Sequence, residues 1–452
     1  MPADPRLKAQ IDLILNAHPD ADVFPAEWER DGDADYIYRE NTLLVNQRDE
    51  VRVVRALTQI LGDAGHQFPD LERPFDQMDS VGNVLSITLP PPMQDQPILS
   101  VPMVLDRLDP LVGQGKATPE YLLFVCPHSC PATEPGEVPL GTANPFPAPG
   151  SGACPGGHSG GHARCGCDGD GVFASIVDTG LLPGAATDHS WLTGVDGTPE
   201  ERIGPDGNIV PYAGHGTFAA GCLRCVAPKA SVYVERAFDI AAADYETNLV
   251  SSLEDALHRN PDILVFTFTT STRHDQSLLT FDDFYERRLR HVKGLQVVAP
   301  AGNDGKSRWM WPAAYPWVLS VGALSASWRQ RAHFSNFGGW VDVYTPGEDL
   351  INAFATGTYV CNEPPVGQHR HFGGMALWSG TSFSTPIMAG LIAARMSATG
   401  ENAREATESL LRVAHRQAIP GVGAVLYPGQ ACCEPGHADG ERGRARECAC
   451  AG

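Results

Sequence analysis

A doubly wound α/β fold, with a mostly parallel sheet and a small α+β module ahead of it, is what this sequence predicts. Three observations carry the prediction. From residue 171 onward, short continuous apolar runs alternate with segments of helical period, the pattern of strands covered by helices on both faces. Between residues 36 and 125 a shorter strand and helix alternation is complete in itself. The two stretches are separated by a Pro-, Gly-, Cys- and His-rich segment without periodicity. At 452 residues, 42% apolar and 19% charged, the chain has the length for one large core plus one or two modules and the composition of a folded protein.

In chain order, residues 1–35 form an arm whose one amphipathic piece is "LKAQIDLILNA". In the module, 36–125, "NTLLVNQ" reads as a strand, "EVRVVRALTQIL" as a helix, "NVLSITLP" as a strand, "SVPMVLDRLDPLVG" as a helix and "EYLLFVC" as a strand, an order that suggests a ferredoxin-like unit. Residues 126–170 read as a linker. The large domain, 171–420, opens with the strand of "GVFASIVDTG" and continues through strand "SVYVERAF", helix "NLVSSLEDALHRN", strand "DILVFTFTT", helix "FDDFYERRLRHVKG" and strand "LQVVAPAGN". The strands of "WVLSVGAL" and "WVDVYTPG" follow, and then a helix after "GTSFSTP". Residues 421–452, ending in "ECACAG", read as a Cys-rich tail.

In an open parallel sheet, reactive groups collect at the carboxyl ends of strands. Asp178 follows "FASIV", Asn303 follows "QVVAPAG" and Ser382 opens a helix, while His215 stands between two glycines in "PYAGHGTFAAG". Taken singly, each has a plainer reading: a turn carboxylate, a turn amide, a first-turn serine and an inert loop histidine. Together they supply what a serine nucleophile needs, a base and a carboxylate to orient it, at helix starts that favour developing negative charge.

The stretches "VDTG", "GHGT", "AGN" and "SGTSFSTP" resemble the aspartate, histidine, asparagine and serine motifs of the subtilisin-like serine peptidases, over roughly residues 171–415. The resemblance implies Ser382 as nucleophile, His215 as general base and then acid, Asp178 as its orienting partner and Asn303 as an oxyanion donor. It also implies that Thr267, Phe268 and Thr269, where relatives carry Ser-Leu-Gly, form the edge that pairs with an extended substrate, with Thr269 narrowing the cleft. An N-terminal module acting as intramolecular inhibitor or folding assistant is a further implication. The expected activity is therefore serine endopeptidase cleavage of peptide or protein substrates, with a dedicated processing task as a finer expectation. The rival reading is a latent or non-catalytic peptide-binding protein that kept the fold.

The net charge of −21 argues against nucleic acid or anionic membranes as partners. No signal-like or membrane-spanning run is evident, so a cytoplasmic protein is expected. The triad chemistry requires no cofactor. Relatives often bind calcium, but no matching site is identifiable. Cys126, His128, Cys130, Cys154, His158, His162, Cys165 and Cys167 could ligate zinc, yet their spacing fits no familiar finger, so free thiols or occasional disulfides are expected instead. Cys222 and Cys225 read as packing residues, and "DGDG" at 168–171 as a turn.

Overall fold

The computed structural model describes residues 4–31, 34–68, 75, 78–91, 99–125, 134–139, 144–149, 167–238 and 240–432. Helix α1 (Pro5–Ala17) starts where the Asp4 carboxylate accepts the Arg6 N–H, with Pro5 in the first turn, where a missing donor costs nothing. Leu7, Ile11 and Ile14 recur at helical spacing and are buried. Strand β1 (Ala21–Phe24) and a one-turn helix α2 (Trp28–Asp31) lead into β2 (Tyr36–Asn46), with which β1 pairs antiparallel. The arm is thereby held to the module rather than loose.

Helix α3 (Glu50–Asp63), strands β3 (Met78–Val81) and β4 (Val84–Thr88), helix α4 (Val101–Val112) and strand β5 (Ala117–Phe124) complete the module. Its order is β-α-β-β-α-β and its sheet runs β3-β4-β2-β5, a ferredoxin-like arrangement. The sequence reading missed β3, because four residues, "MDSV", carry no usable alternation.

The large unit is a seven-stranded sheet ordered β13-β12-β11-β10-β6-β8-β7, with every neighbouring pair parallel. Its strands are β6 (Phe173–Asp178), β7 (Val195–Gly197), β8 (Ser231–Arg236), β10 (Ile263–Phe266), β11 (Gln296–Pro300), β12 (Val318–Leu324) and β13 (Val343–Pro346). Strand β9 (Ala243–Tyr245) lies outside this sheet and pairs antiparallel with β5 of the module. Strands β14 (Leu350–Val360) and β15 (His369–Trp378) form a separate antiparallel hairpin. Between the strands run α5 (Ala185–Asp188), α6 (His215–Val226), α7 (Glu246–His258) and α8 (Leu279–Arg287), and α9 (Thr381–Thr399) and α10 (Ala403–Arg416) close the unit. Strand order reverses around β6, which lies between β8 and β10, and such a reversal opens a crevice at the carboxyl ends of the strands.

Several expectations are corrected. The helix read over 281–294 stops at Arg287 and gives way to a 3₁₀ turn at Leu289–His291. Strand β10 ends at Phe266, and the following residues form isolated bridges, Phe124 with Thr269 and Thr270 with Trp311. Part of the linker is docked: Gly136 bridges Leu377 and Phe146 bridges Ile351 on the β14–β15 hairpin. The start of the expected tail is packed, with Val425 and Leu426 buried and Val425 bridging Tyr344. Cys167 forms a disulfide with Cys432, so it is not available as a zinc ligand. The other seven candidate ligands lie outside the described residues.

Candidate active site

Asp178 is the last residue of β6 and His215 the first of α6, and both are fully buried. His215 Nδ1 lies 2.9 and 2.8 Å from the two carboxylate oxygens of Asp178. Close approach of the two elements depends on glycine. A Cβ at Gly216 would stand 2.5 Å from the Gly180 carbonyl oxygen, and Gly214 enters α6 at φ 88, a left-handed conformation that favours glycine.

A second carboxylate supports this pair. Glu200 Oε2 accepts the Gly214 N–H at 2.8 Å, and its side chain is also hydrogen-bonded by the Thr179 hydroxyl, whose oxygen accepts the Gly216 N–H at 3.1 Å. Glu200 thus ties together the residues that follow Asp178 and those that flank His215. Burial pushes its carboxyl well above the usual carboxylate range, and the nearby Asp178 charge adds to the shift, while the Thr179 and Gly214 hydrogen bonds oppose it.

Around the imidazole, the Trp378 ring stands edge-on at 5.3 Å between centroids and the Phe383 ring lies at 4.8 Å. His215 Nε2 is buried and has no hydrogen-bond partner. Ser382 is the second residue of α9. The residue is 1% exposed, covered in part by the end of the module. Ser382 Oγ donates to the Val125 carbonyl at 2.8 Å and lies 3.1 Å from the Thr267 carbonyl. Asn303 Oδ1 accepts from both the N–H and the hydroxyl of Thr381, at 2.9 and 2.8 Å, which fixes the carbonyl end of its amide and leaves the NH₂ end as a donor.

The three expected edge residues separate by role. Thr269 exchanges both backbone hydrogen bonds with Phe124, at 3.2 and 3.0 Å. Thr267 presents its carbonyl to Ser382 and ties its own hydroxyl to the Val177 carbonyl. Phe268 does not line the cleft with its ring, which is buried against Phe238, Phe266 and Phe281.

Sequence reasoning missed the opposite edge. Strand β9 pairs Tyr245 with Leu122, Asp244 with Leu123 and Ala243 with Phe124, and the Ala242 carbonyl accepts the Val125 N–H at 3.1 Å. The end of the module therefore runs as an extended strand between two edges of the large unit and finishes on the Ser382 hydroxyl. Strand β9 has three residues and pairs through its backbone, so no side-chain pattern announces this edge. Elsewhere, Cys222 and Cys225 are buried beside the Asn352 amide, and burial pushes the Cys225 thiol up to about 12, consistent with packing rather than reactivity. Among the described residues no group of three or more His, Cys, Asp or Glu could hold a metal ion, and no helix is long and apolar enough to cross a membrane.

The model of the subtilase family matches residues 169–422 of this chain. Subtilisin-like protease 2 of Trichophyton tonsurans is 30% identical over 241 residues, which is 51% of this chain and 51% of that protein. The protein of the same name from Trichophyton rubrum is 31% identical over 245 residues, again 51% of each. The chain thus spans about half the length of the curated relatives it matches. Among solved structures, fervidolysin from Fervidobacterium pennivorans, described as a keratinolytic enzyme related to subtilisin, matches with a TM-score of 0.52 at 18% identity, covering 87% of this chain and 61% of that one.

Proposed function

Because the chain belongs to the subtilase family, we propose that it is a serine endopeptidase, held latent by its own N-terminal module. The observation that carries this reading is the Ser382 hydroxyl hydrogen-bonded to the carbonyl of an extended strand, beside a buried Asp178–His215 pair.

The reaction uses these groups in turn. Ser382 Oγ attacks the carbonyl carbon of the bound segment as His215 Nε2, unpartnered in the latent arrangement, takes the hydroxyl proton. Asp178 holds the imidazole in the required tautomer and stabilises the imidazolium. The Asn303 side-chain NH₂ and the Ser382 N–H stabilise the oxyanion. His215 then gives its proton to the leaving amine nitrogen as the C–N bond breaks, and water hydrolyses the resulting ester by the same route. Latency follows from the strand that fills the cleft, and a processing task restricted to few substrates suits an enzyme kept in this state.

Intact-mass analysis with a fluorophosphonate probe tests the reading. A single adduct is expected on the wild-type chain after the module is displaced by mild denaturant, and none on Ser382→Ala. Hydrolysis by Ser382→Ala should fall by about 10⁴-fold or more. An adduct of equal yield on both chains would remove Ser382 from this role.

A further inference from the structure

Where the module meets the large unit, it supplies carboxylates to two arginines beside the cleft. Arg273 follows closely on the edge at 267–270 and is 6% exposed. Its guanidinium donates to Asp106 Oδ1 and Asp109 Oδ2 of α4, each at 2.6 Å, and among the described residues its side chain bonds nothing in the large unit. Arg308 donates to Asp35 Oδ1 at 3.0 Å and to the Thr272 carbonyl at 3.2 Å, which ties it to the same loop. Its carboxylate neighbour in the large unit is Asp275, farther off at 3.7 Å.

The loop also sets where these cations stand along the cleft. The Arg273 N–H donates to the Tyr121 hydroxyl at 3.0 Å, and Tyr121 lies four residues ahead of Val125, whose carbonyl accepts from Ser382. Arg308 borders an open cavity of about 770 Å³ with Lys306, Trp309 and Phe337, closed on one side by Asp35 of the module. When the module leaves, Arg273 loses both of its anions and Arg308 the nearer of its two. A guanidinium deprived of its carboxylates readily takes new ones in charge-assisted pairs. In a chain of net charge −21, cations gathered beside the cleft are no general property of the surface.

We infer that in the uncovered enzyme Arg273 and Arg308 take carboxylates of the substrate, so that the cleft prefers protein segments carrying an acidic run that begins four residues ahead of the residue acylated. This rests on the serine endopeptidase reading and names a substrate class for it. The module then holds the cleft by presenting, from α4 and from Asp35, the same charges that a substrate presents from its own upstream chain. A clamp that served only to hold the module would give no such preference.

The test uses full-length chains carrying Asp106→Asn and Asp109→Asn, which remove module charges and leave both arginines in place. In mild urea that displaces the module, they are given quenched peptides with one core, Leu-Leu-Phe-Val, preceded by Glu-Glu-Glu or by Gln-Gln-Gln. At about 50 mM salt, kcat/KM for the Glu peptide is expected to be about tenfold or more above that for the Gln peptide, mostly through KM. Salt at about 0.5 M should erase most of the difference. Arg273→Gln with Arg308→Gln should abolish it, and should that variant fail to fold, the salt dependence with both arginines present decides. Anisotropy of the labelled peptides on the same chains with Ser382→Ala reads the preference without turnover, and it decides if the fluorophosphonate labels Ser382 but neither peptide is cut. Equal rates and affinities for the two peptides, or a preference that survives high salt or loss of the two arginines, overturn the inference and leave the enzyme reading standing. If neither peptide is cut and the probe leaves Ser382 unlabelled, the enzyme reading fails and the inference with it.

Discussion

At the scale of single residues, two predictions separate groups that meet the reacting atoms from groups that hold them in place. In the mechanism proposed above, Asn303 offers its NH₂ only to charge that develops during reaction. Asn303→Ala should therefore lower kcat by about 10²- to 10³-fold with KM little changed, a magnitude known for the same donor in subtilisin itself. Steady-state kinetics on the module-displaced enzyme checks it. Glu200 touches no reacting atom. Glu200→Ala strips the acceptor from the Thr179 hydroxyl and the Gly214 N–H, a cost of about 1–3 kcal/mol in buried surroundings. We expect kcat to drop by about tenfold or more, and Glu200→Gln, which keeps an acceptor, to restore most of it. A purely structural role would instead lower the melting temperature with kcat per folded molecule unchanged. That Asp178 ends a strand, Asn303 follows one and His215 and Ser382 open helices was legible in the sequence because each stands in a glycine-marked turn. Glu200 was not. It sits beside the exposed Glu201 in "TPEER", and nothing in that run distinguishes a buried acceptor from a solvated charge.

At the scale of elements, the contact between β5 and the start of α7 carries a pH dependence. Glu246 opens α7, fully buried, and accepts the Tyr121 N–H of β5 at 3.1 Å and the Thr280 hydroxyl at 2.6 Å. Burial raises its carboxyl to about 8, with a further push from the Glu120 charge. A folded-state value above the unfolded one means stability that is complete below the ordinary carboxylate range and lost as pH rises through about 8. The melting temperature of the full chain should therefore decline between pH 5 and pH 9, and Glu246→Gln should flatten part of that decline. Glu363, raised by burial to about 8, contributes with the same sign, so the flattening is partial. Calorimetry across that pH range measures it. The alternation that betrays the long elements, such as β2 or the buried run of β12, says little about elements of three or four residues. Strand β9 is as short as "ADY" and is fixed by the module it pairs with rather than by its own preferences. The β14–β15 hairpin escaped notice for another reason: "HRHFGGMALW" puts the apolar Met375 and Leu377 on the less buried face and Gly374 on the buried one, which blurs the period of two.

At the scale of the whole molecule, the Cys167–Cys432 disulfide ties the entry of the large unit to its last described residue across 265 positions of chain. Disulfides typically contribute about 2–4 kcal/mol. Cys167→Ser should lose roughly that much in denaturant unfolding, and reductant should destabilise the wild type while leaving the variant unaffected. The expectation of free thiols or occasional disulfides named no pairing. Distant cysteines reveal their pairing only once the fold has brought their Cα atoms within 6.7 Å. The doubly wound core and the module ahead of it were legible because both obey simple periodicities, whereas their docking joins residues far apart in the chain, through backbone pairing of β5 and through side-chain bonds such as Arg273 to Asp106 and Asp109, which no local period announces.

That docking changes what dilution can do. A strand delivered to the cleft by its own chain is present at an effective concentration on the order of millimolar, whatever the amount of protein in solution. On the latent reading proposed above, lowering the protein concentration does not relieve the block, and a competing segment must either exceed that threshold or reach contacts that the strand leaves unused. One cut in the tether would alter this at a stroke. The module would become an ordinary bimolecular ligand, and activity would become a function of how dilute the two pieces are.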